Sequence, residues 1–269
     1  MDIFVDNLVQ VWDDGGEGVR ALDGITHHFP SGKLTCLLGP SGCGKSTLAQ
    51  IVGGIERATS GTIRIVDPKA PDKPSAKPGE CSVMMWQNLN LFPWRNVIDN
   101  VAFGLEMEGV PRAERHARAA ELIATVGLKG FETKRCNQLS GGMRQRVALA
   151  RALIMQKPIL LMDEPFAALD AQTKIVMQEE LARIFERLRN TILFVTHAID
   201  EAILLGDQVV VMTARPGRIK EVIPIDLPRP RSQELVNTQE FGELYDRILH
   251  LIREEVLSAM RQQDEALAS

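Results

Sequence analysis

The sequence predicts an α/β fold: a largely parallel sheet covered by helices, with a helical lobe inserted into it. Three observations predict it. Short apolar runs at 33–38, 159–163, 191–196 and 208–213 lack polar alternation, as strands buried on both faces do. Segments with helical spacing of apolar residues alternate with those runs, the pattern of βαβ units. From about 97 to 156 the pattern stays helical with no strand between.

In order along the chain, Ile3–Trp12 and Val19–Phe29 read as strands around the turn-rich segment Asp13-Asp14-Gly15-Gly16-Glu17-Gly18. Lys33–Leu38 is a short buried strand that runs into a glycine loop, and a helix is expected from about Lys45. Residues 67–79, rich in Pro and Lys, form a surface loop before a strand at Cys81–Trp86. Arg112–Val126 carries Ala113, Ala117, Ala120 and Ile123 at helical steps and stops at Gly127. After the strand Ile159–Asp163, the helix Gln172–Arg189 sets Met177, Leu181, Ile184, Phe185 and Leu188 on one face. Strands follow at Thr191–Thr196 and Gln208–Thr213. Leu227-Pro228-Arg229-Pro230-Arg231 breaks the chain, and Phe241, Leu244, Ile248, Leu251 and Ile252 outline a final amphipathic helix. No internal repeat is present.

Composition narrows the function classes. The chain has 269 residues, with 31 Lys and Arg against 35 Asp and Glu, for a formal net charge of −4. That balance, with aromatic residues at 5%, argues against a nucleic-acid binder of the usual basic kind. Cys36, Cys43, Cys81 and Cys136 are too scattered for metal ligation or a disulfide framework, which suits a reducing compartment. The N-terminus lacks the pattern of a signal peptide, and the apolar runs fall far below the ~20 residues that span a bilayer. Any work at a membrane needs another chain to do the spanning.

Two motifs carry phosphate chemistry. Gly39-Pro40-Ser41-Gly42-Cys43-Gly44-Lys45-Ser46 fits G-x-x-x-x-G-K-[ST] between an expected strand and an expected helix. Its glycines let backbone N–H groups converge on phosphate oxygens at a helix N-terminus, Lys45 reaches the β- and γ-phosphates, and the Ser46 hydroxyl suits Mg²⁺. Ile159–Asp163 followed by Glu164 is an apolar strand ending in two carboxylates. Beside the phosphate loop, Asp163 is placed to bind Mg²⁺ or its water shell, and Glu164 to orient and deprotonate an attacking water.

Leu139-Ser140-Gly141-Gly142-Met143-Arg144-Gln145-Arg146 then decides the family, because Leu-Ser-Gly-Gly before a basic, Ala-rich helix resembles the signature sequence of ABC ATPases. Physically, Ser140 is a helix N-cap candidate, and Gly141 and Gly142 expose N–H groups to a second phosphate site. The resemblance covers nearly the whole chain. It implies a RecA-like phosphate-loop core at 1–87 and 155–225, a helical subdomain at 88–154, an antiparallel β edge, and a C-terminal helical extension at 226–269. It implies ATP and Mg²⁺ as cofactors, with the nucleotide set running from Gly39 through Thr47. Gln87 matches the Q-loop glutamine, which senses Mg²⁺ and nucleotide. Asp170, in Ala167-Ala168-Leu169-Asp170, matches the D-loop acid, and His197 the switch histidine at the γ-phosphate. Trp12 stands where the family stacks an aromatic on adenine; packing of that ring in the core is the alternative.

The same resemblance implies partners. One copy of each motif means that two subunits, expected as a homodimer, must meet, the phosphate loop of one closing on the signature of the other. Gln87-Asn88-Leu89-Asn90-Leu91-Phe92-Pro93-Trp94-Arg95-Asn96-Val97 and Met212-Thr213-Ala214-Arg215-Pro216-Gly217-Arg218-Ile219 resemble importers of the nitrate, sulfonate and taurine type, as do Met143 of the signature and the tail with Leu227-Pro228-Arg229-Pro230-Arg231. That implies integral membrane permease subunits, an extracytoplasmic substrate-binding protein, no nucleic acid, and a peripheral place on the cytoplasmic face of the inner membrane. Leu91–Trp94 either meets a coupling helix of the permease or packs within the helical lobe. Trp86 in place of Phe, Asn88 in place of an acid, and the 67–79 loop depart from the group's pattern. The rival class is a soluble ABC ATPase acting on nucleic acid or ribosomes, which would usually carry two fused units or a coiled-coil insertion.

Overall fold

Five short, apolar strands build the centre of the molecule because their residues have no polar face to turn toward water. They are β3 (Leu34–Leu38), β5 (Ser82–Met85), β6 (Ile159–Asp163), β7 (Thr191–Val195) and β8 (Gln208–Met212). Every residue of β3, β6 and β7 is buried. They pair in parallel in the order β5-β6-β7-β3-β8, and β9 (Ile219–Pro224) closes the far edge antiparallel to β8. The structure is a computed structural model. It describes the chain apart from residues 14, 17, 168, 189 and 269 and the side chains of 187, 188 and 262–268. The turn residues Asp14 and Glu17, Ala168 of the D-loop, Arg189 and the Leu188 side chain therefore lie outside the described residues.

A second, three-stranded antiparallel sheet in the order β2-β1-β4 is made by β1 (Asp2–Trp12), β2 (Val19–Phe29) and β4 (Ser60–Val66). It packs with helix α1 (Lys45–Val52) and one face of the central sheet through Ile3, Leu22, Phe29, Leu37, Leu48 and Val195. The opposite face meets α6 (Ala171–Leu188), α7 (Ile199–Leu205) and α8 (Gln239–Ala268). Between β5 and β6 the chain forms α2 (Val97–Val101), α3 (Phe103–Met107), α4 (Arg112–Thr125) and α5 (Gly141–Leu153).

Several details differ from expectation. Strands β4 and β9 and helix α7 form where the sequence shows no recognisable pattern. Burial along β4 reaches only one residue of seven and β9 carries Lys220 and Glu221, so neither shows an apolar run. Within α4, Ala113 and Ala117 face solvent, and the buried positions are Ala119 and Ile123, with Leu122 partly covered. Alanine methyls contribute little burial energy, so the larger Leu122 and Ile123 turn the helix. The predicted break at Leu227–Arg231 hides an anchor. Arg231 is buried and donates to the carbonyls of Ile203 (3.0 Å), Ile225 (2.8 Å) and Gly206, capping the C-terminal end of α7. Burial lowers its pKa to about 10.

Candidate active site

Parallel strands deliver the loops after their C-terminal ends to one edge of the sheet, the usual seat of a ligand in such folds. Here that edge receives Gln87 after β5, Asp163 and Glu164 at the end of β6, His197 after β7, the glycine loop after β3, and Thr213–Arg218 after β8. A cleft of about 370 Å³ opens at this edge, lined by Trp12, Ser41, Gly42, Gly44, Lys45, Ser46, Thr47, Gln87, Glu164 and Arg215 among others.

The glycine loop enters α1 at Gly44, whose φ of 97° lies in the left-handed region. A Cβ there would also sit 2.6 Å from Leu22 and 2.9 Å from the Ala21 carbonyl, so only glycine fits. Lys45 is buried and donates to the carbonyls of Gly39 (2.8 Å) and Pro40 (2.9 Å), which stretches its ammonium across the loop. Cys43 is buried beneath the loop, and burial raises its thiol pKa. Cys36, Cys81 and Cys136 are likewise buried free thiols.

The Ser46 hydroxyl donates to Asp163 Oδ1 at 2.8 Å. Burial, followed by the neighbouring Glu164 charge, raises the Asp163 pKa; the Ser46 bond and Lys45 pull the other way. Two hard oxygen donors held together, one a largely buried carboxylate, fit an oxygen-seeking divalent cation such as Mg²⁺. One residue on, Glu164 has a φ of 45°, unusual for a non-glycine residue and a frequent mark of functional sites. Its N–H is held by the Val195 carbonyl at 2.9 Å. The Glu164 carboxylate accepts a hydrogen bond from Gln87 Nε2 at 3.1 Å and lies 3.4 Å from His197 Nδ1. The structure thus joins three residues predicted from separate motifs at a single carboxylate oxygen.

Trp12 ends β1 and is 37% exposed at the rim of the cleft, outside the buried core. Asp170 caps α6, accepting the Thr173 N–H at 3.0 Å, and that bond lowers its pKa. Ser140 caps α5, accepting the Met143 N–H at 3.3 Å. Ser140, Gly141 and Gly142 do not line the cleft of their own chain. Leu91–Trp94 divides: Leu91 and Phe92 pack, with the Phe92 ring 4.6 Å from that of Phe103, whereas Trp94 is 68% exposed.

Residues that the sequence reading missed hold these loops. Arg151 of α5 donates to the carbonyls of Leu89 (2.5 Å) and Asn90 (2.7 Å). Asn100, fully buried in α2, accepts the Phe92 N–H at 2.8 Å and donates to the carbonyls of Phe92 and Asn96. Behind His197, Thr196 donates to the buried Glu201, which pairs with Lys174 of α6 at 2.7 Å. Only Arg151 had a visible signal, an arginine within an otherwise apolar helix stretch.

Comparison with known proteins gives the family. A family model described as ABC transporter matches residues 22–167. An uncharacterized ABC transporter ATP-binding protein of Methanocaldococcus jannaschii, MJ0412, is 46% identical over 96% of this chain and 93% of its own length. The nitrate import ATP-binding protein NrtD of Synechocystis sp. is 39% identical over 100% of both chains. The taurine import ATP-binding protein TauB of Rhizobium johnstonii is 43% identical over 87% of this chain and 89% of its own. Among solved structures, the dimeric post-hydrolysis state of the cassette MJ0796 bound to ADP and Pi superposes with a TM-score of 0.70 at 28% identity. It covers 84% of this chain and 100% of that one. A chain with this cleft, this family match and these relatives belongs to the ABC transporter ATP-binding family.

Proposed function

We propose that this chain is the ATP-hydrolysing subunit of an importer for a small anion, such as nitrate, a sulfonate or taurine, working through a separate membrane permease. The observation that supports it most is the meeting of Gln87, Glu164 and His197 beside the glycine loop, in a chain whose relatives are named for import. In this reading the loop N–H groups and Lys45 bind the triphosphate, and the Trp12 ring stacks on adenine. Ser46 and Asp163, with Gln87 nearby, are the residues that would hold Mg²⁺, which supplies charge neutralisation at the phosphates. Glu164 takes the proton of the attacking water, while Gln87 and His197 orient its carboxylate.

Efficient turnover needs a second copy. Ser140, Gly141 and Gly142 present the start of α5 to the nucleotide of the opposite subunit, and Asp170 stands beside that contact. The divisions at 1–87 with 155–225, 88–154 and 226–269 follow the same reading: the helical segment moves with the permease, and Trp94 offers it an exposed aromatic. In this reading the chain works peripherally, on the cytoplasmic face of the inner membrane, as its relatives named for import support; no helix among the described residues is long and apolar enough to cross a membrane. The transported anion, delivered by an extracytoplasmic binding protein, never enters this chain.

Glu164→Gln should keep ATP binding while lowering steady-state hydrolysis at least ~100-fold, the usual scale for loss of a general base. Hydrolysis near the wild-type rate removes Glu164 from that role. Tagged Glu164→Gln protein with ATP should then recover a polytopic membrane protein from native membranes. Recovery of ribosomes or nucleic-acid machinery without a membrane protein overturns the importer reading.

A further inference from the structure

Four of the five loops at the sheet edge carry a residue whose role the motifs suggest. The fifth, Thr213–Arg218 between β8 and β9, does not, yet it lies directly on the glycine loop. A Cβ on Gly217 would stand 2.0 Å from the Cys43 carbonyl, and one on Gly39 would stand 3.0 Å from the Met212 carbonyl. Backbone therefore packs on backbone with no side chain between. Gly217 also exchanges hydrogen bonds with the β2 region, its N–H bonding the Ala21 carbonyl (2.9 Å) and its carbonyl the Asp23 N–H (3.0 Å).

The loop carries Arg215 into the cleft. Its guanidinium lines the same cavity as Trp12, Ser41 and Lys45, and Nη2 lies 3.3 Å from where a Gly42 side chain would begin. Among the described residues Arg215 has no ion pair, although Arg218 of the same loop pairs with Asp23. The final helix holds the loop. Glu255 of α8 accepts the Ala214 N–H at 2.9 Å through one oxygen and pairs with Lys220 of β9 at 2.8 Å through the other.

We propose that Arg215 is a nucleotide-binding residue that pairs with a phosphate of the bound nucleotide from above the glycine loop, and that Glu255 of α8 is its positioning residue. This rests on the nucleotide-site reading of the cleft. A permanently charged group with no carboxylate partner beside a loop built to present N–H groups matches a phosphate better than a solvated surface role does. It also gives the C-terminal helix a defined task at the site, one hydrogen bond away from the residue that touches nucleotide.

The test is calorimetric titration of ATP, in EDTA to prevent turnover, into the full-length wild-type protein and four variants. Arg215→Gln should weaken ATP about 5- to 10-fold, the lower end for a charge-assisted phosphate contact because the site is open to water. Arg215→Lys should restore affinity to within about 3-fold of wild type, since charge without planarity still pairs with phosphate. Glu255→Ala should lose part of the affinity, and Arg215→Gln with Glu255→Ala should bind no more weakly than Arg215→Gln alone, because both act through one contact. Melting temperatures without nucleotide should stay near wild type for the Arg215 variants. An Arg215→Gln affinity within twofold of wild type, or an Arg215→Lys protein as weak as Arg215→Gln, overturns the phosphate contact. Fully additive losses overturn the role of Glu255. A wild-type protein that binds no ATP overturns the site reading itself, and the proposal with it.

Discussion

Single residues at the sheet edge are held in states that water alone would not give them. Asp163 is largely removed from solvent and its carboxyl pKa is raised, so a cation there gains more than it would at an open carboxylate. Glu164 keeps a left-handed backbone so that its side chain projects toward Gln87 and His197 and not back along β6. Trp12 shows the same logic with an aromatic: a ring more than a third exposed at a cleft rim gains from a partner that covers its face. Trp12→Ala should therefore weaken ATP binding about 10-fold, the scale of one lost base stack, and leave the unliganded melting temperature almost unchanged. Equal affinity in a titration of wild type and variant would return Trp12 to a purely structural part.

Elements are placed by pairs of charges that no local pattern announces. Helices α6 and α7 are joined where Lys174 meets the buried Glu201, and Glu201 in turn accepts the Thr196 hydroxyl just before His197. The loop with His197 is thus tied to the helix that follows Asp170. Lys174→Met would leave the Glu201 carboxylate buried without its cation. With Lys174 itself about a quarter exposed, the expected cost is about 2–3 kcal/mol, read as a shift of the urea midpoint at constant slope. Replacing Glu201 and Lys174 together by apolar residues should recover much of that loss, because no charge is then stranded.

At the scale of the whole molecule, the antiparallel sheet and the central sheet meet through a polar contact as well as through apolar packing. His27 of β2 lies 3.3 Å from the Gln208 amide of β8, and its ring stands edge-on to Phe29 at 4.6 Å. Burial, with a smaller contribution from His28, lowers its pKa from 6.5 to about 4. The folded chain refuses a proton there that the unfolded chain accepts, so stability falls as pH drops from about 6.5 and levels off near 4. His27→Gln should flatten that part of the stability curve relative to wild type in chemical denaturation followed at several pH values. Identical pH dependence in the two proteins would place the acid sensitivity elsewhere.

Most of the fold was legible because its signals are local. The glycine loop, the buried strands β3, β6 and β7, and the Leu-Ser-Gly-Gly helix start are written in adjacent residues, and each forms where the sequence places it. Strands β4 and β9 were not legible, since their register comes from the neighbours they pair with, β1 and β8, and not from an apolar run of their own. The same contrast runs through the candidate site. The sequence by itself determined which residue types could bind phosphate and accept a proton, because those depend on side-chain chemistry and short spacing. Only the tertiary structure decided that Gln87, Glu164 and His197 share one oxygen, that Asn100 and Arg151 pin the segment after Gln87, and that α8 reaches the Thr213–Arg218 loop through Glu255. Those contacts join residues brought together by the parallel order of the strands, and strand order is set by which buried surfaces fit, a property of the whole chain that no window of sequence contains.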